Sequence, residues 1–326
     1  MAIKLNSILL SMLLLLVSQS LTAKPSFEQY LVDVKLQAID QGYTSEFVDQ
    51  VFEGVRYRKK TVTADKNQPE TKLTLDKYLA TRVPDWKVKK AIDLMAQHQV
   101  LLDQVEQQFG VQKRFIVALW GNESNFGNIM GNHSVINSLV TLAYDGRREA
   151  MFKKQLFAAL KILKQGHVEL DDFVGSWAGA MGQSQFMPTS FLDYAIDFDN
   201  DGRKDIWNSK ADVFASIANF LKSEGWSNQI TWGRQVSIPD DFDFNLAGLK
   251  SSSKRLLADW HGMGVRRYDG RNLPNLPIKG SLIAPDGENG RIYLVYENFH
   301  TLMKWNRSSY FGVSVSYLSD RIKKGS

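Results

Sequence analysis

The sequence predicts a mainly α-helical (α+β) protein with a small β-rich insertion near its C-terminal end. Three observations carry this. Apolar residues recur at helical spacing from about residue 26 to 226. Short β-branched or alternating runs, separated by Pro, Gly and Asp-Gly, occupy about 232–298. A helical pattern then returns over 300–322, with Tyr310, Val313, Val315 and Leu318. The 326 residues are 44% hydrophobic and 23% charged, which is material for a large core in one or two domains. No internal repeat is present.

In chain order, residues 1–23 stand apart. Lys4 gives a positive start, residues 8–16 are nearly all apolar, and Ser20-Leu-Thr-Ala23 offers small residues before Lys24. The apolar run is too short to span a bilayer, and the pattern is that of a secretory signal peptide. The chain contains no cysteine. Disulfides, thiol catalysis, thiolate metal sites and a lipoprotein anchor are thereby excluded, and an exported protein of this kind is expected in the periplasm. Net charge is +5 with no dense run of Lys or Arg, so no nucleic-acid partner is expected.

Residues 24–110 form an N-terminal helical region. Tyr30, Leu31, Val34 and Leu36 open the first helix, which ends near Gly42; Thr44 or Ser45 caps the next. Residues 59–72 lack periodicity and contain Asn67-Gln-Pro69, predicting a loop. Tyr78, Leu79 and Val83 resume the helix before Pro84. A single long helix is predicted over 92–109, stopped by Gly110. Residues 111–231 form a glycine-punctuated helical core, with a helix over 147–163 and another through Gly175, Gly179 and Gly182. Residues 232–298 are the β-rich region, with one helix over 252–260, and 299–326 is a C-terminal helix returning to the core.

Three stretches could carry chemistry. In Ala118-Leu-Trp-Gly-Asn-Glu-Ser-Asn-Phe-Gly127, an apolar stripe runs into Glu123 where a buried helix is about to end. Apolar surroundings disfavour a charged carboxylate, raise its pKa and make it an acid usable at neutral pH; the alternative is a solvated helix end. The second stretch is Gly175-Ser-Trp-Ala-Gly-Ala-Met-Gly-Gln-Ser-Gln-Phe-Met-Pro188. It joins a glycine-lined face to amides, a hydroxyl and rings, the groups that grip neutral sugars, although close helix packing would use the same small residues.

The third stretch is 197–208. Asp197, Asp199, Asp201, Gly202 and Asp205 match positions 1, 3, 5, 6 and 9 of an EF-hand loop, while Asn208 replaces the closing Glu and Lys204 stands where an apolar residue is usual. The ligand set for a structural calcium would be Asp197, Asp199, Asp201, Arg203 and Asp205, closed by Asp212 one turn later. A rigid Asp-rich turn without metal is the other reading. The five histidines show no metal spacing, and no Gly-x-Ser-x-Gly elbow is present.

These motifs, in this order, resemble the membrane-bound lytic transglycosylase B family. Trp120-Gly-Asn-Glu-Ser-Asn-Phe-Gly127, the Gly175–Pro188 stretch, the Asp-rich loop and Ser216-Ile-Ala-Asn-Phe-Leu221 carry the resemblance. Asp65-Lys-Asn-Gln-Pro-Glu70, Tyr296-Glu-Asn-Phe299 and Trp305-Asn-Arg-Ser308 extend it over roughly 26–321. The resemblance implies a lysozyme-like helical core and cleavage of peptidoglycan between N-acetylmuramic acid and N-acetylglucosamine without water. One Glu, here Glu123, would serve as acid and then base and leave 1,6-anhydromuramyl ends.

It also places Tyr78, Ser176, Gln185 and Asn306 on glycan-contacting positions, with Ser124 beside the Glu. Phe152, Phe220, Trp305 and Phe311 stand where the family often has tyrosines or other aromatics; a ring without a hydroxyl can still stack on a sugar. No cofactor is required for the chemistry. Glycan strands are the expected partner, with other wall enzymes as further candidates, and a monomer is expected. The alternatives are a hydrolytic muramidase using an Asp of the 171–172 pair as second carboxylate, and a non-catalytic glycan-binding module.

Overall fold

A computed structural model describes residues 24–67 and 73–325; the signal segment 1–23 and the end of the Asp65–Glu70 motif lie outside the described residues. The N-terminal region forms α1 (Phe27–Asp40), α2 (Ser45–Phe52), α3 (Lys59–Lys66), α4 (Leu75–Arg82), α5 (Asp85–Gln97) and α6 (Gln99–Phe109). Ser26, Thr44 and Thr74 cap α1, α2 and α4, each side chain accepting the backbone N–H three residues on.

Two sequence expectations fail here. Residues 59–66 are a helix rather than a loop, because Thr61, Val62 and Asp65 are buried and α3 packs on a later helix. The Asp65 carboxylate accepts Arg147 and Arg148, so tertiary contacts supply what the local pattern lacks. The helix over 92–109 is broken at His98, which ends α5 and starts α6. The His98 ring sits against Trp120 and Phe214, and that packing decides the break.

The central region comprises α7 (Lys113–Ser124), β1 (His133–Ser134), α8 (Val135–Asp145), α9 (Glu149–Lys164), β2 (Val174–Gly175), α10 (Pro188–Tyr194) and α11 (Lys210–Ser223). From Phe115 to Asn122 every residue of α7 is buried, as its unbroken apolar run requires. It is ringed by α5, α6, α11 and the last helix of the chain. Trp120 and Phe115, both fully buried, contribute about 2–3 kcal/mol each by area. The expected helix through Gly175–Gly182 is absent. That stretch is a tight loop with Gly179 and Gly182 at φ +85° and +63°, a conformation that stops helix propagation. The bare surface still permits close approach, since a Cβ on Gly179 would overlap Leu139 and one on Gly182 would overlap Ile206.

The C-terminal region holds β3 (Gly233–Ser237), β4 (Arg255–Leu256), α12 (Leu257–Gly262), β5 (Arg266–Arg267), β6 (Lys279–Ile283), β7 (Ile292–Val295), α13 (Glu297–Trp305) and α14 (Ser309–Gly325). The helix predicted over 252–260 is a short turn, the two-residue β4 and then α12. The final helix is likewise two, α13 and α14, parted at 306–308. The strands form an antiparallel sheet in the order β4-β6-β7-β3-β5. Strand β7 is apolar at every position because both faces are covered. Tyr293 and Val295 point into the main core, while Ile292 and Leu294 point into a second cluster with Trp260 and Leu257. Strand β7 contacts α13, α13 packs on α14, and α14 packs on α7.

Candidate active site

The site is built where α7 ends. Asn125 and Phe126 both take positive φ, 49° and 60°, followed by Gly127 at 81°. A bulky residue such as Phe126 adopts this backbone only when its surroundings compel it. Its ring packs edge-on to Trp120 at 5.4 Å and over Gly121, where any Cβ would overlap the ring. The turn fixes Glu123 in the last helical turn.

The Glu123 carboxyl accepts a hydrogen bond of 2.5 Å from Trp305 Nε1. Protein surrounds it closely, though part of its surface stays open to solvent. Burial raises its pKa to about 7; the Trp305 bond and the charge of Arg82 pull the other way without cancelling it. No second carboxyl is among these influences. Arg82, at the end of α4, donates to the Asn122 carbonyl at 2.8 Å. The carbonyl-rich end of α7 also faces the site, which further disfavours a bound anion.

Trp305 is itself held. Phe220 packs on it edge-on at 4.7 Å and Phe186 at 5.2 Å. Tyr194 packs on Phe220 and donates its hydroxyl to Glu224, which also pairs with Lys304 one residue before Trp305.

The loop 175–187 is tied to α7 through Gln183. Its Oε1 accepts from Trp120 Nε1 at 2.8 Å, its amide donates to the Trp207 carbonyl, and its own carbonyl accepts Ser124 Oγ at 2.7 Å. Ser124 is therefore a buried strut, also accepting Gly127 N–H, and its hydroxyl is not free for a ligand. Gln185, at φ +50°, spends its amide N–H groups on the carbonyls of Met130 and Gly182. Ser176 is partly exposed, with Oγ accepting Ala180 N–H. Tyr78 is partly exposed and meets Tyr310 edge-on at 5.5 Å. Asn306 is exposed and accepts the Ser308 N–H.

Phe152, Phe220 and Phe311 differ from expectation. All three are buried, and Arg148 lies over the Phe152 ring, so they offer no open face to a sugar. Arg82 was not singled out from the sequence, and Gln183 only as an amide suited to gripping sugars. Arg82 acts through a main-chain carbonyl far away in the chain, which leaves no motif; Gln183 lay within the quoted stretch, but its clamp role needs the loop geometry.

The Asp-rich loop divides the calcium set. Asp197, Asp199 and Asp201 bring carboxylate oxygens within 4.8 Å of one another. Asp205 turns its oxygen to the N–H groups of Trp207 and Asn208. Asp212 is fully buried and accepts the N–H of Phe198 and of Asp205 at 2.7 and 2.6 Å. Burial raises the Asp212 pKa to about 6, opposed by those two bonds. Arg203 points its guanidinium to Glu169, and its backbone N–H donates to Asp201. Asp212 thus shapes the loop, while three convergent hard oxygens remain that suit a divalent cation.

The protein-family model described as Transglycosylase SLT domain matches residues 26–320. Membrane-bound lytic murein transglycosylase B of Escherichia coli (strain K12) is 28% identical over 275 residues, covering 82% of this chain and 67% of that protein. SltB3 from Pseudomonas aeruginosa, crystallised in complex with NAG-anhNAM-pentapeptide, superposes with a TM-score of 0.87 at 42% identity, over 91% of this chain and 80% of that one. The Escherichia coli lytic transglycosylase Slt35 in complex with calcium shares the fold, with a TM-score of 0.78 at 23% identity over 93% and 94%.

Proposed function

This chain belongs to the Transglycosylase SLT domain family, and we propose that it cleaves peptidoglycan with Glu123 as its single acid and base. It is a lytic murein transglycosylase, a lyase with a lysozyme-like helical fold. The observation that carries the proposal is the Glu123 carboxyl, with a pKa of about 7, bonded by Trp305 and without a partner carboxylate among the described residues.

Protonated Glu123 gives its proton to the glycosidic oxygen of the β-1,4 bond between N-acetylmuramic acid and N-acetylglucosamine, and the bond from C1 to that oxygen breaks. The carboxylate left behind then takes the proton of the muramyl 6-hydroxyl as its oxygen bonds to C1, closing the 1,6-anhydro ring. No water is consumed, and Glu123 ends as it began. A pKa near the working pH suits a group that must serve both steps. The Trp305 N–H bond steadies the carboxylate between them. Tyr78, Ser176, Gln185, Trp305 and Asn306 are the proposed glycan contacts.

A hydrolase would need a second carboxyl placed for a water or a covalent intermediate. Asp171 and Asp172 are exposed and do not influence Glu123, which favours the lyase. Incubating the Glu123→Gln protein with purified sacculi tests the assignment: loss of soluble product is expected, and an undiminished rate would refute it.

Asp197, Asp199 and Asp201 would hold a calcium ion that cross-links the 197–205 loop and supplies no catalytic chemistry. We place the protein in the periplasm on the pattern of residues 1–23. Among the described residues no helix is long and apolar enough to cross a membrane.

A further inference from the structure

A cavity of about 430 Å³ lies outside the catalytic cluster, between the start of α3 and the start of α8. Its rim carries Arg56, Arg58, Lys59, Lys60 and His133, and no acidic residue among the described ones lines it. None of these five side chains forms an ion pair among the described residues, although thirteen such pairs occur elsewhere. Glu53 and Asp171 line a neighbouring hollow that shares only Arg58, Ser134 and Asn137 with this one.

The floor is built as carefully as the rim. Asn137 Oδ1 accepts the Arg56 N–H at 3.1 Å, and Thr141 Oγ1 accepts the Arg58 N–H at 3.3 Å. These bonds pin the basic segment to α8 through its backbone and leave its side chains uncommitted. Thr61, Asn137 and Ser138 are all more than nine-tenths buried and line the cavity. The hydroxyls of Thr61 and Ser138 and the amide nitrogen of Asn137 find no hydrogen-bond partner among the described residues. These donors reach the hollow beside the four cations Arg56, Arg58, Lys59 and Lys60, where an acceptor-bearing ligand can meet them. The N-terminus of α3 opens here too, with no side-chain cap on it.

The cavity is also joined to the proposed glycan floor. Strand β1 pairs His133 with Gly175 and Ser134 with Val174. Gly131 approaches so closely that a Cβ on it would stand 2.1 Å from the Gly175 carbonyl and 2.7 Å from the Ser176 nitrogen. Residues 132–134 thus lead from the main chain of Ser176 to the cavity wall.

We infer that this cavity binds the carboxylates of a peptide branch carried by the glycan strand, so that the enzyme favours peptide-bearing over bare substrate. The inference rests on the glycan-cleaving reading of Glu123. It adds the cations of the rim as charge partners and the three unbonded donors as the hydrogen-bonding floor.

Two measurements test it. In the first, the Arg56→Gln/Lys60→Gln double variant is assayed on strands that keep their peptides and on strands stripped by an amidase. Both side chains are exposed, and only the backbone N–H of Arg56 is pinned, so the fold should persist. KM on peptide-bearing strands should rise about three- to tenfold with kcat unchanged, while both constants on bare strands stay as they were. Equal changes on both substrates, or none on either, overturn the inference.

In the second, the Glu123→Gln protein is titrated with a free tetrapeptide and followed by NMR at the Asn137 side-chain amide and the Arg56 N–H. Saturable shifts that vanish when the peptide carboxylates are amidated support it. An unresponsive amide overturns it. So does inorganic phosphate displacing the peptide at concentrations where acetate does not, because the site would then be one for phosphate. The peptide titration does not depend on turnover. A wrong role for Glu123 would appear only in the sacculus assay.

Discussion

Glu123 and the Asp197–Asp201 loop are two ways of placing carboxylates, and their surroundings differ in every respect that matters. Glu123 has no second carboxyl beside it among the described residues, is closely enclosed, and is bonded by an indole N–H, with a pKa lifted to about 7 by burial. The three aspartates converge with oxygens within 4.8 Å of one another, two of them exposed. Isolation in apolar surroundings makes a proton donor; convergence at the surface makes a cation ligand. The same functional group is turned to proton transfer in one place and to charge neutralisation in the other, by packing alone.

The contrast can be broken most severely at the lone acid. Glu123→Gln keeps the shape but cannot exchange a proton, so kcat should fall at least 10²–10⁴-fold, the usual worth of acid–base catalysis. Release of soluble muropeptides from sacculi measures it.

Trp305→Phe sharpens the account of how the acid is tuned. The indole bond lowers the Glu123 pKa, so removing it moves that pKa upward. The group must be protonated to begin the reaction, so the high-pH limb of the kcat/KM profile should shift to higher pH. A fall in kcat of roughly tenfold should accompany it as the carboxylate loses a charge-assisted bond.

At the aspartate loop the readout is thermal. Calcium at about a hundredfold its Kd should add about 2.7 kcal/mol, a rise in Tm of a few degrees for a protein of this size. A chelator should reverse it, and Asp199→Asn should abolish it without lowering kcat. A Tm indifferent to calcium would leave the loop a rigid turn.

The smallest expected effect concerns stability against pH. The folded pKa of Glu123 lies above its ordinary value of 4.5. Ionisation is therefore resisted in the folded state, and the group's contribution to stability falls as pH rises from about 4.5 to 7. Relative to wild type, Glu123→Gln should gain Tm above pH 7 and show no such gain at pH 4. A constant gap across that range would contradict the raised pKa.

The parts of this site that sequence could reveal were those written in one stretch. The apolar run from Phe115 to Trp120, ending at Glu123, announces a buried helix with a carboxyl at its end, and the Asp spacing at 197–205 announces the loop. What sequence could not reveal depends on distant partners. Arg82 acts on Glu123 through space and on the Asn122 carbonyl. The glycines at 175, 179 and 182 have helical spacing, yet left-handed φ angles at two of them build a loop instead. Phe152, Phe220 and Phe311 look like sugar platforms by position, but the depth of the core is a property of the whole fold. Residues 59–66 fold as a helix because Arg147 and Arg148, some eighty residues away, hold Asp65.

The central claim is that one carboxyl acts twice and the substrate's own hydroxyl replaces water. Mass spectrometry of the muramyl ends released by the wild-type protein in heavy-oxygen water addresses it directly. The account predicts anhydro ends, lighter by one water than reducing ends and free of solvent oxygen. Reducing ends carrying the heavy isotope would contradict it and identify a hydrolase with a second carboxyl at work.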